Sequence, residues 1–270
     1  MGRIIGLVSI KGGVGKTTIA SSLASDLVNH FGKKVLLVDA NYSAPNLGLH
    51  MDIVEPKITI HNVLAGNNSI ADSIHSSYGV DVIPGSYVFD KEINFMKLKD
   101  KLAKIKDDYD YVILDSSPSL NEEVLSTILA SDSLFVVTTP DYPTMSCSLK
   151  AAKLAKQRGK PIAGIIINKV KDPQYELNLD EIEQTLSIPV VAKIPDERSA
   201  NRALFTRIPL SIYHRYTPYS KEISALSSVL TNTPEKRSLF GFLFPNKFKK
   251  EAINRQVLRK HFYSSMFGDN

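Results

Sequence analysis

The chain has a single cysteine and no tryptophan in its 270 residues. A lone thiol, Cys147, excludes an internal disulfide and points to a reducing compartment. The histidines, at positions 30, 50, 61, 75, 214 and 261, show no metal-ligand spacing, which argues against a zinc site. No apolar run reaches the roughly 18 residues that a membrane-crossing helix needs. The first residues run straight into an apolar strand pattern, without the layout of a secretory signal. With 43% hydrophobic and 23% charged residues, disorder is excluded, and the length suits one substantial α/β domain with some chain left over. Acidic residues are scarce only at one end. From Lys236 onward eight basic residues meet two acidic ones, a local charge of +6 in a chain whose net charge is +5, so the preceding 235 residues carry −1.

The most informative stretch is Ser9–Thr18, SIKGGVGKTT, directly after the apolar run Arg3–Val8. Ile19, Leu23 and Leu27 follow at four-residue spacing, as do Ala20, Ala24 and Val28, so a helix with one apolar face leaves the turn. Gly12, Gly13 and Gly15 allow backbone N–H groups to converge on an anion without Cβ interference. A helix beginning at Lys16 adds the partial positive charge of its N-terminus. Lys16 can then reach β- and γ-phosphates, and the Thr17 hydroxyl is placed to ligand Mg²⁺. Strand, glycines, Lys-Thr and helix in register make this a nucleotide site rather than a connecting turn.

Further apolar strands follow. Lys34–Asp39 and Tyr111–Asp115 each end in a carboxylate, and an Asp at the C-terminal tip of a parallel strand faces the ligand crevice of a doubly wound sheet. Val80–Pro84, Ser133–Thr138, Ile162–Asn168 and Pro189–Ile194 bring the strands to seven. Phe95, Leu98, Leu102 and Ile105 mark an apolar helix face, a short helix is expected around Thr59–Leu64, and others over Met145–Lys156 and from Pro218 to Leu230. Strands alternating with helices predict a three-layer α/β sandwich with a mostly parallel, doubly wound sheet of about seven or eight strands.

The loop Lys11-Gly12-Gly13-Val14-Gly15-Lys16-Thr17 resembles that of the deviant Walker A ATPases, the MinD/ParA family, with Ile10 at a position where many members carry Gly. The resemblance covers about residues 1–231, and its Asn46-Leu47-Gly48-Leu49 stretch is similar to the MinD branch. It implies ATP and Mg²⁺ as cofactors, bound by Lys11 through Thr18, with Thr17, Asp39 and Asp115 serving the metal. Lys11 would act across a nucleotide-bound homodimer. Asn41 occupies a position where relatives place an Asp near the attacking water; an amide orients water but accepts no proton, so hydrolysis would be retained but slow. The alternative is that Asn41 only turns the loop. Asn168, and the turn Pro195-Asp196-Glu197, match places where the family contacts adenine, although simple strand-end turns explain both as well. Iron–sulfur carriers and reductases sharing this loop need paired or shared cysteines, which a single mid-chain Cys147 does not suit.

Residues 236–270 read as a basic, aromatic-rich tail appended to an ATPase domain of residues 1–235. Leu239, Phe240, Phe242, Leu243, Phe244 and Phe248 cluster between lysines, and Ile253, Val257 and Leu258 share one side of a following helix pattern. Over residues 238–260 this composition fits a segment lying on an anionic membrane surface. Docking onto the body as extra core, or phosphate contact with DNA, are its alternatives. The leading expectation is a cytoplasmic, MinD-like ATPase, peripheral at the inner face of the cell membrane, that acts as a spatial switch with an unidentified activating or cargo protein. A ParA-type ATPase on DNA and a slowly hydrolysing scaffold are the alternatives.

Overall fold

The computed structural model describes residues 2–172, 174, 176–233 and 250–267, with side chains to residue 260. In chain order the elements are β1 (Arg3–Val8), α1 (Lys16–Asn29), β2 (Val35–Ala40), α2 (Leu47–His50), α3 (Ile60–Leu64), β3 (His75–Ser77), β4 (Val80–Ile83), α4 (Leu98–Leu102), β5 (Tyr111–Ser116), α5 (Glu122–Ala130), β6 (Ser133–Thr138), α6 (Tyr142–Gln157), β7 (Ile162–Val170), α7 (Leu179–Leu186), β8 (Val190–Pro195), α8 (Ala200–Phe205), α9 (Leu210–Tyr213), α10 (Pro218–Leu230) and α11 (Lys250–Phe267). The strands form one sheet in the order β3-β4-β2-β5-β1-β6-β7-β8. All neighbours run parallel except β3, which pairs antiparallel with β4 at the edge. The expected seven strands are present; the eighth, β3, is a three-residue polar edge whose sequence carries no alternation.

Period-two alternation divides the core into two layers. Ile5 and Leu7 of β1 face α1, where Ile19, Leu23 and Leu27 are fully buried, and α10 joins that layer through Ile223 and Leu226. Ile4, Val38, Val112 and Leu114 face α3 and α4 on the opposite side, and Val8, Val136 and Ile167 meet α5 and α6 there. Tyr219 of α10 ties the first layer together, its hydroxyl donating to the Thr18 carbonyl at 3.2 Å and to Ser22 Oγ at 3.1 Å. The single helix expected over 95–105 is instead a turn at 95–97, α4, and a turn at 106–108. Its apolar spacing is still used, since Leu98 and Leu102 are fully buried.

The phenylalanine cluster of the tail, with Leu239 and Leu243, lies outside the described residues. The helix after it docks on the body. Leu258 is buried against the core, Arg255 reaches the Val191 carbonyl at 3.1 Å and Glu222 at 2.9 Å, and Asn254 donates to the Val190 carbonyl at 2.8 Å. Lys250 pairs with Asp180 and Glu183, and Arg259 donates to the Asn232 carbonyl at 2.7 Å. A membrane-lying helix through residue 260 is therefore corrected on its inner face. Val190 and Val191 belong to the edge strand β8, whose backbone carbonyls need partners, and α11 supplies them. Among the described residues of that stretch, Lys250, Ile253, Gln256, Val257 and Lys260 still face outward.

Candidate functional site

The site lies where the sheet order reverses. β1 sits between β5 and β6, and the loop after it rises from the centre of the C-terminal edge. Gly13 and Gly15 hold φ of +77° and +92°, conformations that L side chains strain to adopt. Gly15 is the N-cap of α1, which has no side-chain cap and no acidic residue in its first turn. Helices α5, α6, α7 and α10, by contrast, are capped by the side chains of Asn121, Asp141, Asn178 and Thr217. The N–H groups that a cap would satisfy on α1 are thus left for an anion.

Asp39 and Asp115 are register partners on β2 and β5, so their carboxylates stand side by side, both fully buried. Asp39 accepts hydrogen bonds from the amides of Asn41 at 3.1 Å and Leu47 at 3.0 Å, which fixes both ends of the loop between them. Burial, and then the Asp115 charge, raise its carboxyl to about 8, with those amides opposing. Both Asp115 oxygens are sealed from solvent and accept no hydrogen bond. Burial holds that carboxyl up at about 6, with the nearby Thr17 hydroxyl and the Lys16 ammonium pulling it down. The proton of Thr17 itself is directed to Asn46 Oδ1 at 3.0 Å. Lys16 is 7% exposed, and burial lowers its pKa against the attraction of Asp115.

An orphaned carboxylate beside a second carboxylate and a hydroxyl is a fitting environment for a hard cation that fills its shell with water and phosphate oxygens. Among the described residues no three His, Cys, Asp or Glu side chains gather into a self-sufficient metal cage. Asp39, expected beside the metal, has a further task as the anchor of the Asn41–Leu47 loop.

Lys11 is exposed at the mouth and forms no ion pair among the described residues, although its charge is felt by Asp141. Asn41 is 7% exposed; its amide nitrogen donates to the Ala44 carbonyl, while its Oδ1 is buried without a partner. The turn role and an unengaged acceptor therefore coexist in one side chain. Asn168 reaches the phosphate loop, its Nδ2 donating to the Val14 carbonyl at 2.8 Å. Pro195 ends β8, and the Asp196 amide donates to the Val170 carbonyl at 2.9 Å. Sequence reasoning missed Glu123, a carboxylate 2% exposed on α5 that grips Ser43, and Asn46 as the partner of Thr17. The signal for Glu123 was a carboxylate set among the buried residues Val124, Thr127 and Ile128.

A glycine-rich loop feeding an uncapped helix, with strand-tip carboxylates at the switch point of a doubly wound sheet, defines the class as a P-loop nucleotide-binding protein. Residues 2–157 match the family described as an AAA domain. An uncharacterised ATP-binding protein of Methanocaldococcus jannaschii is 32% identical over 234 residues, 86% of this chain and 89% of that protein. The septum site-determining protein MinD of Thermotoga maritima is 30% identical over 223 residues, 78% of this chain and 82% of that protein. The solved structure of the septum site-determining protein MinD of Pyrococcus horikoshii, complexed with Mg-ADP, is similar with a TM-score of 0.79 at 28% identity, covering 84% of this chain and 95% of that one. The chain belongs to the MinD/ParA family of P-loop ATPases.

Proposed function

We propose that this protein is a slow, MinD-like ATPase that binds Mg·ATP, dimerises through its nucleotide face and attaches reversibly to an anionic membrane surface, released by hydrolysis as a spatial switch. The observation that carries this reading is the contrast between the two loop lysines. Lys16 is buried against Asp115, as a residue serving its own phosphates would be, whereas Lys11 stands exposed at the mouth, where a second subunit could receive it. Lys11 through Thr18 would cradle the phosphates, and Thr17 and Asp115 would hold the metal. Magnesium supplies charge neutralisation on the β- and γ-phosphates when bound. Asn41 Oδ1 would orient water without accepting its proton, which supports slow turnover. Asn168 Oδ1 would accept from the adenine amino group, with the turn at Pro195-Asp196 beside it, a choice that favours ATP over GTP.

Membrane attachment is assigned to residues 236–249, aided by the outward Ile253, Val257 and Lys260. Three of the tail's cations, Lys250, Arg255 and Arg259, are already engaged by the body. A weak anchor of that size needs doubling, which dimerisation provides. Co-sedimentation with anionic vesicles tests this, with ATP or ADP, for the full chain, for Lys16→Ala and for a full-length chain with Phe240, Phe242, Phe244 and Phe248 replaced by Ser, which leaves α11 in place. ATP-dependent pelleting, absent from both variants, is the expected result. ATP-dependent binding undiminished in Lys16→Ala would defeat the reading, and retention on DNA instead of vesicles would transfer it to the ParA type.

A further inference from the structure

We infer that Glu123 is a positioning residue for the loop that carries Asn41, and that it couples this loop to α5. The inference rests on the hydrolase reading above. Residues 41–46 cross the open end of the sheet between β2 and α2 and are held from three sides. Asp39 takes the amides of Asn41 and Leu47 from below. His61 Nε2 donates to the Tyr42 carbonyl at 2.9 Å while its Nδ1 accepts from the Ser86 amide at 3.0 Å, so one neutral tautomer serves both contacts. The Tyr42 ring lies stacked on Phe95, 5.1 Å between centroids, which seals that side.

The third tether is Glu123. The Ser43 hydroxyl donates to its Oε1, and the Ser43 amide donates to its Oε2 at 3.4 Å. Ser43 itself is exposed, so this carboxylate provides the side-chain grip on the loop's outer turn. Glu123 is 2% exposed and forms no ion pair among the described residues. Burying an anion that way is unfavourable unless hydrogen bonds and local dipoles offset it. Two donors from Ser43 and the N-terminal turn of α5 provide that offset. An apolar residue of similar length would fill the space without the penalty; what the carboxylate adds is the two-point hold on Ser43.

The position of that hold determines its effect. α5 follows directly on the strand tip bearing Asp115, and Ser43 is two residues from Asn41. The carboxylate that would serve the metal and the amide that would orient the water are thereby referenced to one helix. Glu123 lies behind the loop and acts through Asn41, so its loss disturbs the reaction more than nucleotide binding.

The test compares Glu123→Ala, Glu123→Gln, Ser43→Ala and the Glu123→Ala/Ser43→Ala double variant with the wild-type chain. ATP turnover, the Kd of Mg·ATP and amide hydrogen exchange across residues 41–47 are measured, with thermal midpoints to confirm folding. Glu123→Ala and Ser43→Ala should each lower kcat about tenfold while Kd stays within about twofold, as expected for misplacement by an ångström or less. The double variant should be no worse than Glu123→Ala, because removing the carboxylate already removes both of its contacts with Ser43. Glu123→Gln, whose Oε1 still accepts from the Ser43 hydroxyl while its amide nitrogen cannot accept from the Ser43 amide, should fall between wild type and Glu123→Ala in both turnover and exchange at 41–47. Unchanged kcat in Glu123→Ala, additive losses in the double variant, or a Glu123→Gln as damaged as Glu123→Ala would each overturn the inference. A wild-type chain that binds Mg·ATP but never turns it over overturns the hydrolase reading instead, and exchange at 41–47 then decides alone whether Glu123 holds the loop. Should Glu123→Ala fail to fold, Ser43→Ala, which leaves the core intact, carries the same comparison.

Discussion

Gly13 and Gly15 share a motif, yet the structure asks different things of them. At Gly13 the positive φ is the whole demand, because a Cβ there would meet nothing within 4 Å. At Gly15 the same backbone strain is joined by a clash, since a Cβ would lie 2.3 Å from Asn168 Nδ2. A left-handed alanine costs about 1–2 kcal/mol, or roughly tenfold in an equilibrium constant. Gly13→Ala should therefore weaken Mg·ATP binding about tenfold, whereas Gly15→Ala should weaken it far more, because it also dislodges Asn168 from the Val14 carbonyl. Titration with a fluorescent ATP analogue ranks the two, and equal losses would show that Asn168 yields freely. Asn41 makes a second residue-scale case. Asn41→Asp removes the donor to Ala44 and adds a carboxylate beside Asp39 and Asp115, so the nucleotide-free protein should lose about 1–3 kcal/mol in urea denaturation. An unchanged midpoint would mean that the loop turns the new carboxylate out to solvent.

At the scale of elements, α11 shows what pattern reading can and cannot deliver. The grouping of Ile253, Val257 and Leu258 was visible in the sequence, but not which of them meets protein. The structure buries Leu258 and leaves Ile253 and Val257 about half exposed. Hydrophobic spacing names a face; it does not name the surface that the face covers. Arg255 is equally opaque in the sequence, where nothing marks it for burial, yet it is 6% exposed between the edge strand and Glu222. Arg255→Ala should cost about 2–4 kcal/mol, since it orphans the Val191 carbonyl and leaves Glu222 unpaired. Ile253→Ser, on the outer face, should shift stability by no more than about 0.5 kcal/mol. Chemical denaturation of both separates a docked helix from a loosely attached one, and equal small effects would favour the latter. By contrast α1, β1, β2 and β5 were legible at once, because each combines a strict periodicity with a chemical terminus: glycines, a lysine or an aspartate.

For the molecule as a whole, the placement of both carboxylates at one edge of a mostly parallel sheet followed from strands that end in Asp, whereas the order of the strands did not. The tethers of the loop between β2 and α2 did not either, because they join residues as far apart as Ser43 and Glu123 by one or two hydrogen bonds, for which no periodicity exists. The same distant contacts set how stability responds to pH. Burial lowers His50 from its ordinary 6.5 to about 4, and lowers His61 too, against the opposing pull of its bond to the Tyr42 carbonyl and of the Glu123 charge. A depressed histidine takes up its proton more readily in the unfolded chain, so the stability it contributes is present above about 6.5 and is lost as pH falls toward 4. Asp39 and Asp115 are raised, and their effect runs the other way: stability is lost as pH rises through their folded values. The two trends overlap between pH 4 and 6.5 and partly hide each other in the wild-type curve. Subtracting the curve of His50→Asn, which cannot titrate there, isolates the histidine. The difference should open below pH 6.5 and approach about 2–3 kcal/mol near pH 4.5, with the wild type the less stable of the two relative to their gap at pH 7.5. A difference that stays flat across this range would place His50 in contact with water and leave the carboxylates in control of the acid limb.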